Sequence, residues 1–524
     1  MRARPGMKSL ALSLFLTLTT MATAHAVPGA AGAPAAPKPV PGVQTAPTAP
    51  GAATAQVTAA ANTPGPAVER ITAVPPAFSL THQNTQAGTD ALVASRLAGK
   101  VTLPTLLGTD PAGDDPWTKR RSMRDCVDRE RLALPPVPTV TAWCWDSAFG
   151  DDTTREWLPQ GMSTTGAADG GDGRIQNRAA VAVAWRYQPL TTNSGCQKYN
   201  DVRVSFIDHD TGQYQHVLLV EPTSAAGTDF KAIPAHAGGI VWYGNHLFVT
   251  DTAKGIRVFD INKLSKVHTQ GRNVTTIGVD AGKSSACGLP YVLPQVRHYS
   301  QTGGCASATA TGALCHSWLS LDKTGGKPFK LVSGEYHTVG YGGRIARYAL
   351  NDFGAASQPG LLALTDNKTQ IHDAYAIQGY SHVQSGLTWN DTQGGPLNFA
   401  FHSSCGTVPN IFARTWEGDT RATRTNKCTA PDPADPTRRI STGNWAAGVV
   451  QGLDRWPVRG TGTPTGTNQQ VNELWGLTEG ICDKPVREDE KTIDSCANLT
   501  PEESRSRRTV FAVPFGSAEV QDRH

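Results

Sequence analysis

The stretch His236-Ala-Gly-Gly-Ile-Val-Trp-Tyr-Gly-Asn-His-Leu-Phe-Val-Thr-Asp-Thr-Ala-Lys-Gly-Ile-Arg-Val-Phe-Asp260 decides the fold. Short runs rich in Val, Ile, Phe, Trp and Tyr are separated by Gly-Asn and Ala-Lys-Gly, the residues of tight turns. The stretch reads as three antiparallel strands, most of one blade of a β-propeller. Gly238 and Gly239 stand at its start, where strands crowd toward an axis. Trp242 stands farther out, where blade faces splay and large side chains fill the gap.

Weaker copies recur along the chain. Each repeats the order of a Gly-containing inner strand, one or two alternating strands and an outer strand. The first comprises 159–164, 179–187, 202–208 and 214–221, and the stretch above is the second. The third comprises 295–300, 316–321, 329–335 and 344–350, the fourth 381–389, 397–402 and 410–416. The fifth comprises 445–451, 472–478 and 508–513. Gly161, Gly386 and Gly448 are the expected axial glycines, and Trp185, Trp318, Trp389 and Trp475 the expected outer layer. The fold class is therefore all-β: a five-bladed β-propeller over residues 158–518, with residues 77–157 as an N-terminal extension packed on it. A β-sandwich or a pair of smaller β domains is the alternative, and five copies of one order fit it less well. The best helical run is Thr89 to Leu97.

The N-terminal residues read as an export signal. Arg2, Arg4 and Lys8 precede an apolar run from Ser9 to Met21, and Ala24-His25-Ala26 is a small-x-small cleavage site. Residues 1–26 are the expected signal peptide. Residues 27–76, rich in Ala, Pro, Gly and Thr, lack the large apolar side chains that would offset ordering entropy, and read as a flexible linker. No later run is apolar enough to span a membrane.

The chain carries 48 basic and 44 acidic side chains, interspersed, for a net charge of +4. No basic block with interleaved aromatics marks a nucleic-acid surface. Ten cysteines, an even number, in an exported chain favour disulfides. The expected local pairs are Cys126–Cys144, Cys405–Cys428 and Cys482–Cys496, and Cys305–Cys315 is the shortest option in the remaining set. Cys196 and Cys287 belong with Cys305 and Cys315 to a set whose connectivity stays open. No Cys-x-x-Cys pair points to zinc or thiol chemistry.

The common catalytic signatures are absent: no Gly-x-Ser-x-Gly elbow, no His-Glu-x-x-His pair and no phosphate-binding glycine loop. Asp208-His-Asp-Thr-Gly212 starts like a calcium loop, but Gly212 comes too early and the closing Glu is missing, so a hairpin turn is expected. Asp169-Gly-Gly-Asp-Gly173 reads the same way. A glycosidase would need two facing carboxyl groups. Asp146, Asp251, Glu335, Asp373, Glu417 and Glu473 are candidates, and no spacing pairs any two of them.

Polar residues at inner-strand starts form the more informative set. His236, His298, His382, Gln160 and Gln384 are expected to converge at the axial mouth, with Trp445 able to stack on a sugar ring. Such groups also line ordinary wet channels. No metal site and no cofactor are expected; a channel-bound calcium ion is the exception the architecture allows.

Trp157-Leu-Pro-Gln-Gly-Met-Ser-Thr-Thr165, Val202-Arg-Val-Ser-Phe-Ile-Asp-His-Asp-Thr-Gly212, His216-Val-Leu-Leu-Val220 and the opening stretch together resemble exported β-propeller proteins of actinobacteria. The resemblance covers about residues 140–515 and implies a secreted propeller. It carries no catalytic residue. The architecture also resembles five-bladed glycan-active enzymes. The expected protein is a secreted, extracellular, disulfide-stabilised monomer that binds or scaffolds a polysaccharide or envelope component; the alternative is a glycan-active hydrolase or lyase with its site at the axial mouth.

Overall fold

The computed structural model describes residues 68–515 except 109–118, 132–133, 136–138, 169–172, 190–195, 272, 306–310, 338–340, 356, 379, 381, 392–394, 404–410, 419–428, 432–438, 442–449, 457–471 and 480–507. The described residues are all-β in character, with three short α-helices, Gln86–Ser95, Leu103–Leu107 and Asp128–Arg131. The expected signal peptide, and the expected linker as far as residue 67, lie outside them.

Five antiparallel sheet segments follow one another along the chain. The first is Trp157–Thr164, Ala180–Tyr187, Val202–Asp208 and Gln213–Pro222. The second is Ile240–Tyr243, His246–Asp251, Gly255–Asp260 and the C-terminal half of Tyr291–Ser300. The third is Trp318–Asp322, Lys330–Gly334, Tyr341–Ala349 and Ile371–Gln378, with Val68–Arg70 outermost. The fourth is Val383–Asn390, Leu397–Ser403 and Ile411–Trp416. The fifth is Val450–Trp456, Glu473–Thr478, Thr509–Pro514, Thr141–Cys144 and Arg124–Asp125. Strands from the N-terminal stretch thus complete the third and fifth sheets, and Thr81–Asn84 and Arg121–Ser122 pair onto the second and first. One continuous strand also stitches the second sheet to the first: Val292–Pro294 runs parallel to Leu218–Val220, whereas Gln295–Ser300 pairs with Gly255–Phe259. Pro294 marks the change of partner, and it has no N–H to donate.

The first strands of the five sheets stand side by side in chain order, and the last returns to the first. Glycine makes these approaches tight. A Cβ on Gly161 would lie 3.0 Å from the Gly238 carbonyl oxygen, one on Gly239 2.3 Å from Leu319 N, and one on Gly452 2.6 Å from Met162 N. Because both faces of each sheet meet a neighbour, strands such as Ala180–Tyr187 are apolar almost throughout rather than alternating. Trp185, Trp242, Trp318 and Trp475 are fully buried. The Trp318 ring lies over Gly334 of its own sheet and Gly386 of the next, where a Cβ would collide with it.

Two expected inner strands are corrected. Residues 295–300 form the fourth strand of the second sheet, between Gly255–Asp260 and Thr81–Asn84, and the third sheet starts at Trp318. The first strand of the fifth sheet runs Val450–Trp456, so Gly452 makes the close approach to Met162; Gly448 lies outside the described residues. Both errors have one cause: alternation marks a strand but carries no information about its depth in a sheet. The expected linker also ends earlier than 76, because Val68–Arg70 pairs with Tyr375–Ile377 and Val68 is fully buried.

Three disulfides are present among the described residues: Cys126–Cys144, Cys305–Cys315 and Cys196–Cys287. The last ties the loop before the third strand of the first sheet to the end of the hairpin Ile277–Ala286. Cys405, Cys428, Cys482 and Cys496 lie outside the described residues. Breaking Cys196–Cys287 by Cys196→Ser/Cys287→Ser is expected to cost about 2–5 kcal/mol, because it closes the longest of the three loops. Urea unfolding of oxidised wild type against the double variant measures it. A loss below that of a Cys305→Ser/Cys315→Ser pair would count against the ranking by loop length.

Candidate functional site

The inner strands of the first, fourth and fifth sheets share an irregularity. Pairing shifts register between Pro159 and Gly161, between Val383 and Ser385, and between Val450 and Gly452. The extra residue in each bulge is a glutamine: Gln160, Gln384 and Gln451. A bulge re-aims the side chain of its extra residue away from the pleat. Gln160 and Gln451 each directly precede a glycine of the close approaches, Gly161 and Gly452, and Gln384 lies two residues before Gly386. Gln451 was not among the residues expected from sequence. It follows the Val-Val run that reads as core, and only the Gln-Gly step shared with Gln160-Gly161 marks it.

Two of the glutamines meet one carboxylate. Gln160 Nε2 donates to Glu479 Oε1 at 3.0 Å, and Gln451 Nε2 donates to Glu479 Oε2 at 2.5 Å. Gln160 and Gln451 are buried, whereas Glu479 is half-buried. Glu479 directly follows the second strand of the fifth sheet and lies across from Arg508 at the start of the third strand.

The third sheet has the same cross-strand pair in Glu335 and Arg344, and the comparison is informative. Arg344 holds Glu335 through two side-chain bonds of 2.6 and 2.7 Å, and Cys315 N donates to the same carboxylate at 2.9 Å. Glu335 is closed off. Arg508 instead donates through Nε to the backbone oxygen of Glu479 at 3.0 Å. The Glu479 side chain is thereby released toward the inner-strand glutamines.

The other expected mouth residues divide. His236 stands beside the first inner strand, since the neighbouring Ala237 carbonyl abuts Gly161. Burial, with a smaller contribution from Arg186, pushes its pKa down to about 4, so it is neutral. His382 takes a left-handed backbone (φ 55°), donates through its N–H to the His337 carbonyl at 2.6 Å, and meets the Tyr336 ring edge-on at 5.4 Å. Burial lowers its pKa as well. His298 is corrected: it lies on the fourth strand of the second sheet, bonded to the Lys254 carbonyl at 3.1 Å, away from the inner strands. Trp445 lies outside the described residues.

The candidate glycosidase carboxylates are each engaged elsewhere. Asp251 pairs with Arg257 at 2.9 Å, Asp373 with Arg347 at 3.0 Å, and Glu417 with Arg70 at 2.7 Å. Glu473 accepts from Trp475 Nε1 at 2.9 Å, and Asp146 caps the turn at Ala148 N at 2.8 Å. Asp208 likewise caps its own hairpin turn through the N–H groups of Asp210 and Thr211, as the turn reading expects.

One buried cluster has the residue types of nucleophilic catalysis. Ser205 Oγ lies 2.8 Å from His216 Nδ1, and His216 Nε2 lies 3.1 Å from both Asp151 oxygens. Trp185 Nε1 donates to Ser205 Oγ at 2.8 Å. The bonds form one directed chain, Trp185 to Ser205 to His216 to Asp151, when His216 carries its proton on Nε2. Burial, reinforced by Arg203, pushes the His216 pKa down to about 3 despite Asp151, which keeps the ring neutral. Ser205 and His216 have no exposed surface, so no substrate reaches them and the chain is a packing device. The only metal-like cluster among the described residues, Cys126, Glu130 and Cys144, is disqualified by its disulfide.

No helix among the described residues is long and apolar enough to cross a membrane. No protein-family model matches the chain, and no curated protein matches it either.

Proposed function

We propose that this chain is an exported five-bladed β-propeller whose axial mouth binds a hydroxyl-rich ligand, a polysaccharide or envelope glycan, without cutting it. The propeller reading is supported by five sheets in chain order whose first strands contact in sequence and return to the start. The disulfides support an oxidising compartment. The observation that carries the binding reading is the release of Glu479 toward Gln160 and Gln451, while its counterpart Glu335 is locked by Arg344. A carboxylate flanked by amides suits a hydroxyl, which donates to the one and accepts from the others. A two-carboxylate hydrolase needs a partner for Glu479 at about 5–10 Å. The six candidate acids being engaged elsewhere favours binding over hydrolysis.

A glycan array followed by calorimetry on the best binder tests this. Gln160→Ala and Gln451→Ala are expected to weaken binding about tenfold each, by the loss of one hydrogen bond to the ligand or to Glu479. Glu335→Gln distorts a closed ion pair and is expected to leave affinity unchanged in protein that stays folded. New reducing ends in the glycan after incubation would move the protein to the hydrolase reading. Absence of any bound glycan would sink both.

A further inference from the structure

We propose that Asp454 is a proton-gated latch that closes the succession of inner strands between the fifth sheet and the first. It lies on Val450–Trp456 and reaches across to Trp157–Thr164. Its Oδ2 accepts from Thr164 N at 2.6 Å, Thr164 Oγ1 at 2.9 Å and Ser163 Oγ at 3.3 Å. Ser163 Oγ in turn accepts from Trp242 N at 3.0 Å, so the contact extends into the second sheet. These are the strands that hold Gln451 and Gln160.

No cation faces this carboxylate among the described residues. The strand it meets, Trp157–Thr164, has no titratable side chain, and neither has Val383–Asn390. On its own strand, Arg455 turns to Asn472 and lies over the Phe515 ring. In the neighbouring strand Glu473 is tied to Trp475. On Ile240–Tyr243 the titratable group is the Tyr243 phenol. On Trp318–Asp322 it is Asp322, which Arg347 holds at 2.9 Å. Asp322 makes the same kind of contact between the third and fourth sheets, accepting from Thr388 Oγ1 at 2.8 Å, and there the arginine neutralises the charge. The fifth-to-first closure lacks that arginine. It sits among Met162, Leu453, Trp456 and Trp475, all buried.

A buried carboxylate without a cation favours its protonated form. Burial raises the Asp454 pKa to about 6, against the hydrogen bonds from Thr164, Arg455 N and Ser163. The folded value lies above the unfolded one. The latch therefore contributes fully below about pH 4, and its contribution is lost as pH rises through about 6. The neutral histidines His216 and His316 act in the opposite sense on global stability, so the readout has to be local.

Amide hydrogen exchange, corrected for intrinsic rates, reads the latch directly. Protection of residues 450–456 and 160–164 is expected to fall roughly tenfold or more between about pH 4.5 and about pH 7.5. Asp454→Asn keeps an acceptor for Thr164 N and cannot ionise, so its protection is expected to be flat with pH. Asp201, whose pKa burial also raises to about 6, supplies the control: Asp201→Asn is expected to retain the pH dependence. If Asp454→Asn does not fold, the Asp454 carboxyl carbon shift in wild type decides, with an expected midpoint near 6. A midpoint near 4, flat wild-type protection, or a pH dependence retained by Asp454→Asn overturns the latch. No ligand enters the experiment, so failure of the glycan reading leaves it standing.

Discussion

Asp151→Ala is expected to destabilise the protein by about 3–5 kcal/mol, the cost of leaving buried charges without their partner. Asp151 collects Arg121 at 2.9 Å, Arg203 at 3.2 Å, His216 Nε2 at 3.1 Å and the Tyr214 hydroxyl at 2.8 Å. Both guanidiniums are buried, and Arg203 is sandwiched against the Trp157 and Trp185 rings at 4.5 and 4.9 Å. Removing the carboxylate leaves two buried cations and two donors unpaired. Asp151→Asn restores an acceptor without the charge and is expected to fall between wild type and Asp151→Ala. Urea unfolding measures both; equal stability of wild type and Asp151→Ala would refute the network's structural role. The pH dependence follows from the same contacts. His216 and the Arg pair hold the Asp151 carboxyl far below the usual range, and the folded His216 pKa is depressed to about 3. Both contributions are complete above the unfolded pKa values and are lost as pH falls. Acid unfolding is therefore expected to steepen below about pH 6, where unfolded histidine begins to bind protons.

Gly239→Ala is expected to cost roughly 3 kcal/mol or more, at the upper end of overpacking effects. The new Cβ would lie 2.3 Å from Leu319 N, 2.6 Å from Trp318 C and 2.8 Å from Trp318 Cα. All three obstacles are backbone, so no side chain can rotate away, and the second and third inner strands must part. Gly282→Ala separates this from conformational cost. Gly282 has φ 79° and open space around it, and its replacement pays only the left-handed penalty of about 1 kcal/mol. Chemical denaturation of both variants checks the contrast. A Gly239→Ala loss no larger than that of Gly282→Ala would show that the inner strands are not tightly apposed.

The strands were legible because their period and turn chemistry are local. The opening stretch pairs as read: Trp242 opposite Leu247, and Phe248 opposite Val258. The helical run near Thr89 appears as Gln86–Ser95. The disulfide Cys126–Cys144 was legible because a short loop holds its ends near one another, and Cys305–Cys315, left open by the sequence, proved to be the shortest option of its set. Cys196–Cys287 was not, because its partners are brought together by the packing of separate strands.

Arginine partners were invisible for a related reason. Arg203, Arg257, Arg344 and Arg347 each lie on the third strand of a sheet and each binds a buried acid. In the sequence they are isolated charges within apolar runs and resemble solvent-facing positions. Burial of both sheet faces gives them another meaning, because a charge with no route to water has to find its counterion inside.

By itself, the sequence determined an all-β chain of short strands, their order, and the small residues required where strands converge. These follow from side-chain volume, β-branching and turn geometry over a few residues. Tertiary structure alone decided depth and company. It put residues 295–300 and His298 on the fourth strand of a sheet, placed Gly452 against Met162, and turned Glu479 away from Arg508 to meet Gln160 and Gln451. The physical reason is that alternation specifies which residues share a face, whereas the identity of the neighbour across that face depends on residues hundreds of positions away, as Gln160 and Glu479 are.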